Sequence, residues 1–274
     1  MVSSADRKKT TAYLHSTYEI SISRACKTIG FPKSVYYYTS IKDDSEVIEK
    51  LEGLVQVKPT RGFPYYFNRL RNEGYGWNHK KVKRVYNALG LNIRRKHKRR
   101  LPMRIQMPLN VPDNANYSWS MDFMHDTLSN GRKVRILNII DDYNRQALCV
   151  EADYSHSGIS VSHALTRLIT LHGKPIQIRC DNGPEFISHA LADYCQNQHI
   201  KLQYIQPGKP TQNAYIERFN RSFREDILDA YLFSTLQELQ ELSWEWMNDY
   251  NQNHPHQSLN YQSPLQYLEL NQHI

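Results

Sequence analysis

Apolar positions in the first ninety residues recur mostly at three- and four-residue spacing, the period of a helix with one buried face. Thr10 to Tyr18 is compatible with a short helix, and Ser21 to Ile29 predicts a second, with Ile22, Ala25, Cys26 and Ile29 on one side. Gly30 breaks that pattern and Pro32 opens a further helix carrying Val35 and Tyr36 to Tyr38. Two short helices around a tight turn form the pattern of a helix-turn-helix, in which Lys27, Lys33 and Ser34 would face phosphates. A second helix pair follows. Pro64 to Glu73 places Phe67 and Leu70 three apart, and Asn78 is positioned to cap a helix whose stripe is Val82, Val85, Tyr86 and Leu89, closed by Gly90.

After Pro102, Pro108 and Pro112 the period changes to two. Trp119–Phe123, Val134–Ile140 and Gln146–Glu151 read as three strands joined by short connections, at Asn130-Gly131 and at Asp142 to Arg145. Connections that short predict an antiparallel meander. Strand and helix then alternate: a helix over Gly158–Leu171, a strand running into Asp181, a helix from Ser188 with Leu191, Tyr194 and Cys195, and a strand over Ile200–Ile205. Asn213–Leu228 predicts a helix with Ile216, Phe219, Phe223 and Ile227 inward. A capping box of Thr235 and Glu238 starts another, whose buried face is Leu239, Leu242, Trp246 and Tyr250, before a short apolar helix at the tail. The expected fold class is α/β, a mixed sheet flanked by helices, preceded by a helical region of helix-turn-helix type. The expected division is a helix-turn-helix-like segment at 1–57, a helical module with a basic arm at 58–110, the sheet-bearing core at 111–230 and a helical extension at 231–274.

Charge sharpens this division. Residues up to Asn110 hold 23 Lys and Arg against 8 Asp and Glu, whereas the rest of the chain holds 12 against 19, so the overall +8 comes from the front half. Lys80, Lys81, Lys83 and Arg84 clothe the helix after Asn78, and Arg94, Arg95, Lys96, Lys98, Arg99 and Arg100 follow it as an arm. A basic helix feeding a basic arm suits a duplex, the arm lying along phosphates or in a minor groove. A nuclear-localisation signal or a solvated linker is the competing reading. Four cysteines without CxxC spacing point to reduced thiols in a cytosolic protein, and the N-terminus lacks a signal-type apolar run. No stretch reaches the roughly 18–20 apolar residues of a membrane span.

The acidic half places three carboxylates at telling positions. Asp181 stands where a strand stops before Asn182-Gly183-Pro184, Asp122 lies in a strand and Glu217 in a helix. Between Asp122 and Asp181 lie 58 residues, and between Asp181 and Glu217 lie 35, so only a fold could bring them together. Carboxylates are the hard ligands Mg²⁺ or Mn²⁺ accepts, and two such ions about 4 Å apart can drive an in-line phosphoryl transfer. Asp122 would bridge both ions, with Asp181 and Glu217 holding one each. Arg221 and Arg224, four and seven positions beyond Glu217, share its helix face and suit flanking phosphates. A surface ion pair between Glu217 and Arg221 is the competing reading, and His125, His254 and His256 read as solvent-exposed structural histidines rather than proton-transfer groups. No Ser-His-Asp order, Gly-rich nucleotide loop or zinc-ligand spacing competes for the site.

These blocks resemble a known family. WSMDF around Asp122, CDNGPEF around Asp181 and QPGKPTQNAYIERFNRSFRED around Glu217 are similar to the catalytic core of DDE transposases related to retroviral integrases. RLRNEGYGWNHKKVKRVYNALGLNIRRK and YNQNHPHQSLNYQSPLQY extend the resemblance to the OrfB-type transposases of bacterial insertion sequences, over nearly the whole chain. It implies an RNase H-like core with Asp122, Asp181 and Glu217 as catalytic metal ligands, and Lys209 and Asn213 near the transposon end. It implies two Mg²⁺ or Mn²⁺ ions per site, cleavage of one strand by water and attack of the freed 3′-OH on another phosphodiester. The implied partners are double-stranded DNA of the element ends and target, further copies of the chain, and a protein from an upstream reading frame. The implied location is the bacterial cytoplasm, on the nucleoid. Met121 stands where the family commonly has Thr, and GFPYYFNRL departs from its usual YGYRRI-like module start. A DNA-binding protein or repressor without catalysis would share the basic half and not need the three carboxylates.

Overall fold

The computed structural model describes residues 3–39, 43–93, 112–206 and 213–271. The chain forms two compact units, 1–46 and 47–274. In the first, α2 (Ile22–Ile29) and the single-turn α3 (Lys33–Tyr37) follow the expected pattern, whereas α1 (Ser4–Tyr18) starts six residues before the expected Thr10, capped by Ser3. Ser21 caps α2, and Gly30 ends it at φ 65°, a left-handed conformation that costs a glycine little.

The second unit begins with a helix that the reading of the sequence above leaves out. α4 (Ser45–Val57) buries Val47 and Leu51 against α5 (Phe63–Asn72) and α6 (His79–Ala88), in one apolar cluster with Phe63, Tyr66, Leu70, Val82, Val85 and Tyr86. The compact units therefore part after Glu46, earlier than the expected boundary at 57, and α4 packs with the module that follows it. Asn78 caps α6 by accepting from the Lys80 amide at 2.8 Å.

The sheet has five strands in the order β3-β2-β1-β4-β5. β1 (Ser118–Thr127), β2 (Lys133–Asp141) and β3 (Ala147–Asp153) form the expected antiparallel meander, and β4 (Gln177–Cys180) and β5 (Lys201–Tyr204) add in parallel beside β1. The period of two gives each face its own core. Trp119, Met121, Leu137, Ile139, Ile178 and Cys180 pack with α7 (Gly158–His172) and α8 (His189–Asn197). Met124, Val134, Ile136 and Ile140 pack on the other face with α9 (Ala214–Phe223) and α10 (Leu236–Asn253). The Thr235–Glu238 capping box forms at the start of α10, and α11 (Pro264–Asn271) closes the described chain. This is a mixed sheet flanked by helices, preceded in the chain by a helical region. Among the described residues no helix is long and apolar enough to cross a membrane.

The helix expected over Asn213–Leu228 changes character at its end. After Phe223 it widens into a π-turn, Arg224–Leu228. A π-turn adds a residue to the turn, and here the successive side chains of Asp226, Ile227 and Leu228 are all buried.

Candidate active site

Strand register decides where the first two carboxylates meet. Ser120 of β1 lies beside Arg179 of β4, so two residues further along both parallel strands the chain reaches Asp122 and Asp181. Asp122 pairs across β1 and β2 with Asn138, on the face that α9 covers. From α9, Asn220 donates to Asp122 Oδ2 at 2.7 Å, and its own Oδ1 accepts from Asn138 Nδ2 at 2.7 Å. Glu217 lies one turn earlier on that helix, near the same edge.

The electrostatics of Asp122 record this convergence. Burial is the main force raising its carboxyl, to about 6, and the charges of Asp181 and Glu217 raise it further, against the Phe123 amide and Asn220, which favour its ionised form. Asp181 is half-buried and accepts from the Gly183 amide at 2.9 Å, so the sharp turn of the Asn182-Gly183 segment orients it. Asn182 reaches the Ile205 carbonyl at 3.0 Å, tying that turn to the end of β5. The same loop is held from its far side. Arg135 of β2 pairs with Glu185, holding that carboxyl below its usual range, and lies 4.4 Å from the ring centre of Phe123, which stacks on Phe186.

The integrase core domain family matches residues 112–210 in one segment, and a second integrase core domain family matches 198–264. A 31.7 kDa protein of insertion element IS407 from Burkholderia multivorans is 38% identical over 250 residues, 90% of each chain. This chain belongs to the DDE integrase-core superfamily, with the OrfB-type proteins of insertion sequences. A protein of insertion element IS476 from Xanthomonas euvesicatoria is 33% identical over 90% of this chain and 72% of its own. Among solved structures, the HTLV-2 integrase catalytic core domain in complex with magnesium (trimeric form) is 20% identical, covering 56% of this chain and 95% of that one with a TM-score of 0.42. A simian T-cell lymphotropic virus intasome in complex with PP2A regulatory subunit B56 gamma is 16% identical, covering 70% and 67% with a TM-score of 0.48.

DDE enzymes of this superfamily are polynucleotidyl transferases that work with Mg²⁺ as a class. In this integrase-core protein the donor set at the site is all hard oxygen, and a cation would relieve the repulsion that raises Asp122. Among the described residues no three His, Cys, Asp or Glu side chains gather into a single metal cage.

The other expected residues spread more widely. Lys80, Lys81, Lys83 and Arg84 lie on α6, and Lys83 is turned onto rings, 4.3 Å from the centre of Phe63 and 5.1 Å from that of Tyr86. Arg94, Arg95, Lys96, Lys98, Arg99, Arg100 and Lys209 lie outside the described residues. Asn213 precedes α9 with its side chain buried, and its Oδ1 finds no partner among the described residues. Arg221 is exposed, whereas Arg224 donates to the His125 carbonyl at 3.0 Å and lies 3.8 Å from Asp229. His254 is buried and His256 half-buried against Tyr250, not solvent-exposed as expected, because the tail folds back over α10. Asn138 and Asn220 escaped the sequence reading. The signal in the chain is Asn220 three positions after Glu217, one turn along the same helix.

Proposed function

We propose that this protein is a transposase that cleaves and joins DNA at the ends of an insertion sequence, with Asp122, Asp181 and Glu217 as its catalytic, metal-holding residues. The observation that carries this reading is the register of β1 on β4, which sets Asp122 level with Asp181 at the end of the strands, with Glu217 one turn before the Asn220 that binds Asp122. Asp122 with Asp181 would hold one Mg²⁺ or Mn²⁺ and Asp122 with Glu217 another. Bound there, the ions would supply Lewis-acid activation of the attacking oxygen and charge neutralisation at the phosphate.

The protein's own groups prepare that reaction. Asn220, fixed by Asn138, orients the Asp122 carboxylate, and the Gly183 amide orients Asp181. In the first step water oxygen bonds to phosphorus and the 3′-oxygen leaves, taking a proton to become a free 3′-OH. In the second, that hydroxyl bonds to another phosphorus, loses its proton and displaces a second 3′-oxygen. One site serves both steps because only the nucleophile changes. Arg221 and Arg224 would lie along the substrate backbone, α6 and residues 94–100 would bind the element end, and Lys209 with Asn213 would approach its terminus. Module 58–110 would bind DNA, core 111–230 would react and 231–274 would brace it, with 1–57 as a further helical DNA contact. Joining two ends calls for further copies of the chain, and a protein from an upstream reading frame is a candidate partner.

The test is cleavage of labelled terminal DNA. Asp122→Asn, Asp181→Asn and Glu217→Gln should each abolish metal-dependent 3′-end release while leaving end binding in place. Wild-type cleavage by any one of them would overturn the assignment. Bound DNA that yields no product over a Mg²⁺ and Mn²⁺ titration of the wild type would favour a DNA-binding protein without catalysis.

A further inference from the structure

A cleft of about 740 Å³ opens between the helical module and the core, lined by Arg61, Tyr65, Arg218, Arg221, Glu225 and Tyr261 among others. That volume falls within the roughly 300–1,000 Å³ of a typical concave ligand site. Its core wall is α9 itself. Ile216, Phe219 and Phe223 make the buried stripe of that helix, and Asn220 faces Asp122 on a second. Arg218, Arg221 and Ser222 fall on a third stripe, which faces the cleft. At 100° per residue, Arg221 lies between the stripe of Glu217 and the middle of the cleft wall. Arg221 is therefore the residue by which the cleft wall turns, around one helix, towards the stripe of Glu217.

The chemistry of the lining selects an occupant. Arg61 is already held by Asp226 at 2.8 Å, and Glu225 lies 3.7 Å from it. Arg218 and Arg221, by contrast, are exposed and have no carboxylate partner among the described residues. Tyr261, at φ 63° and 40% exposed, presents a ring at the rim. Arginines without counter-charges beside an exposed aromatic ring are the recognition set for a nucleic-acid strand, phosphates on the guanidinium groups and a base on the ring.

We propose that this cleft receives one DNA strand next to the reacting phosphodiester, with Arg218 on a backbone phosphate, Tyr261 against a base and the module as the opposite wall. The proposal rests on the transposase reading, but its test needs no cleavage. Terminal DNA carrying 5-iodouracil at single positions near the element end is bound to the full chain without metal and irradiated. The expected result is crosslinking to Tyr261 from positions within a few nucleotides of the reacting phosphate. Arg218→Ala should weaken end binding about 5- to 10-fold and flatten the slope of log affinity against log salt by about one, whereas Arg218→Lys keeps the slope.

Crosslinks confined to other surfaces, or an unchanged slope in a folded Arg218→Ala, would overturn the proposal. If that variant unfolds, the wild-type crosslinks decide alone. Crosslinks at Tyr261 without end cleavage would leave the cleft standing and count against the transposase. Cleavage without crosslinks there would do the reverse.

Discussion

The helical module and the core are joined through a buried acid, and neutralising Asp226 should loosen that joint measurably. Its carboxylate is fully buried on the π-turn and accepts from Arg61 Nη2 at 2.8 Å, Arg61 Nε at 3.1 Å and Trp246 Nε1 at 2.9 Å, with Lys58 Nζ at 3.4 Å. Asp226→Asn keeps the shape and removes the charge, leaving Lys58 and Arg61 buried beside a neutral group. Breaking a buried pair from one side costs about 3–5 kcal/mol. Lys58 keeps Asp249 at 3.4 Å and Arg61 keeps Glu225 at 3.7 Å, so the lower end applies. For a unit of this size about 3 kcal/mol lowers the melting temperature by about 6–12 °C. Thermal unfolding followed by circular dichroism gives the number, with Asp229→Asn as the control. Asp229 lies just beyond the π-turn with its side chain 60% exposed, and its loss should cost about 0.5 kcal/mol or less. Equal melting temperatures for the two variants would refute the claim that Asp226 ties module to core.

Asn220→Ala removes a charge-assisted hydrogen bond to Asp122 and leaves the Asn138 amide without its acceptor, so strand cleavage should fall about 10- to 100-fold with end binding unchanged. Cleavage within threefold of wild type would show that Asn220 does not position Asp122. Gly158→Ala would put a Cβ 1.9 Å from Ser188 Oγ and 3.2 Å from the Glu185 carbonyl, overpacking the start of α7 against the cap of α8. We expect a loss of about 1–3 kcal/mol in urea unfolding, and an unchanged midpoint would contradict the close approach. His256 is half-buried, its proton affinity lowered to about 3 by desolvation of the ring and then by Arg145, Arg218 and Arg61, and the buried His254 is lowered by burial, then by His256, Arg61, Lys58 and Arg218. The folded protein keeps both neutral while the unfolded chain protonates them near pH 6.5. Their stabilisation is therefore complete above that pH and lost as pH falls below it, for His256 between 6.5 and about 3. Asp141, raised to about 6 by burial, acts in the opposite sense, so the readout is wild type against His256→Gln. The variant should lose about 1–2 kcal/mol less than wild type between pH 7.5 and 5, measured by urea unfolding, and parallel curves would sink this reading.

Much of the architecture was legible because it is local. The meander of β1 to β3, the caps at Asn78, Ser188 and Thr235, and the buried face of α10 depend on residue type and spacing within ten or twenty positions, and the structure forms each of them. The acidic trio was legible as separate positions, since a carboxylate at a strand end before Asn-Gly is a local feature. α4 is equally local, with Val47, Leu51, Leu54 and Val55 at helical spacing.

What distance in sequence conceals is which groups share a space. The register of β1 on β4 places Asp122 level with Asp181, Asn220 reaches back 98 residues to Asp122, and Lys58 finds Asp226 across 168. A hydrogen bond or ion pair forms wherever packing of apolar faces brings its partners together, and nothing in the residues near either partner encodes the other. The chain's order therefore determined its helices, strands and candidate ligands. Packing of the two faces of the sheet, and the π-turn that turns Asp226 inward, decided that Asn220 reaches Asp122, that Arg224 is engaged by a strand carbonyl, and that a cleft opens between α9 and the helical module.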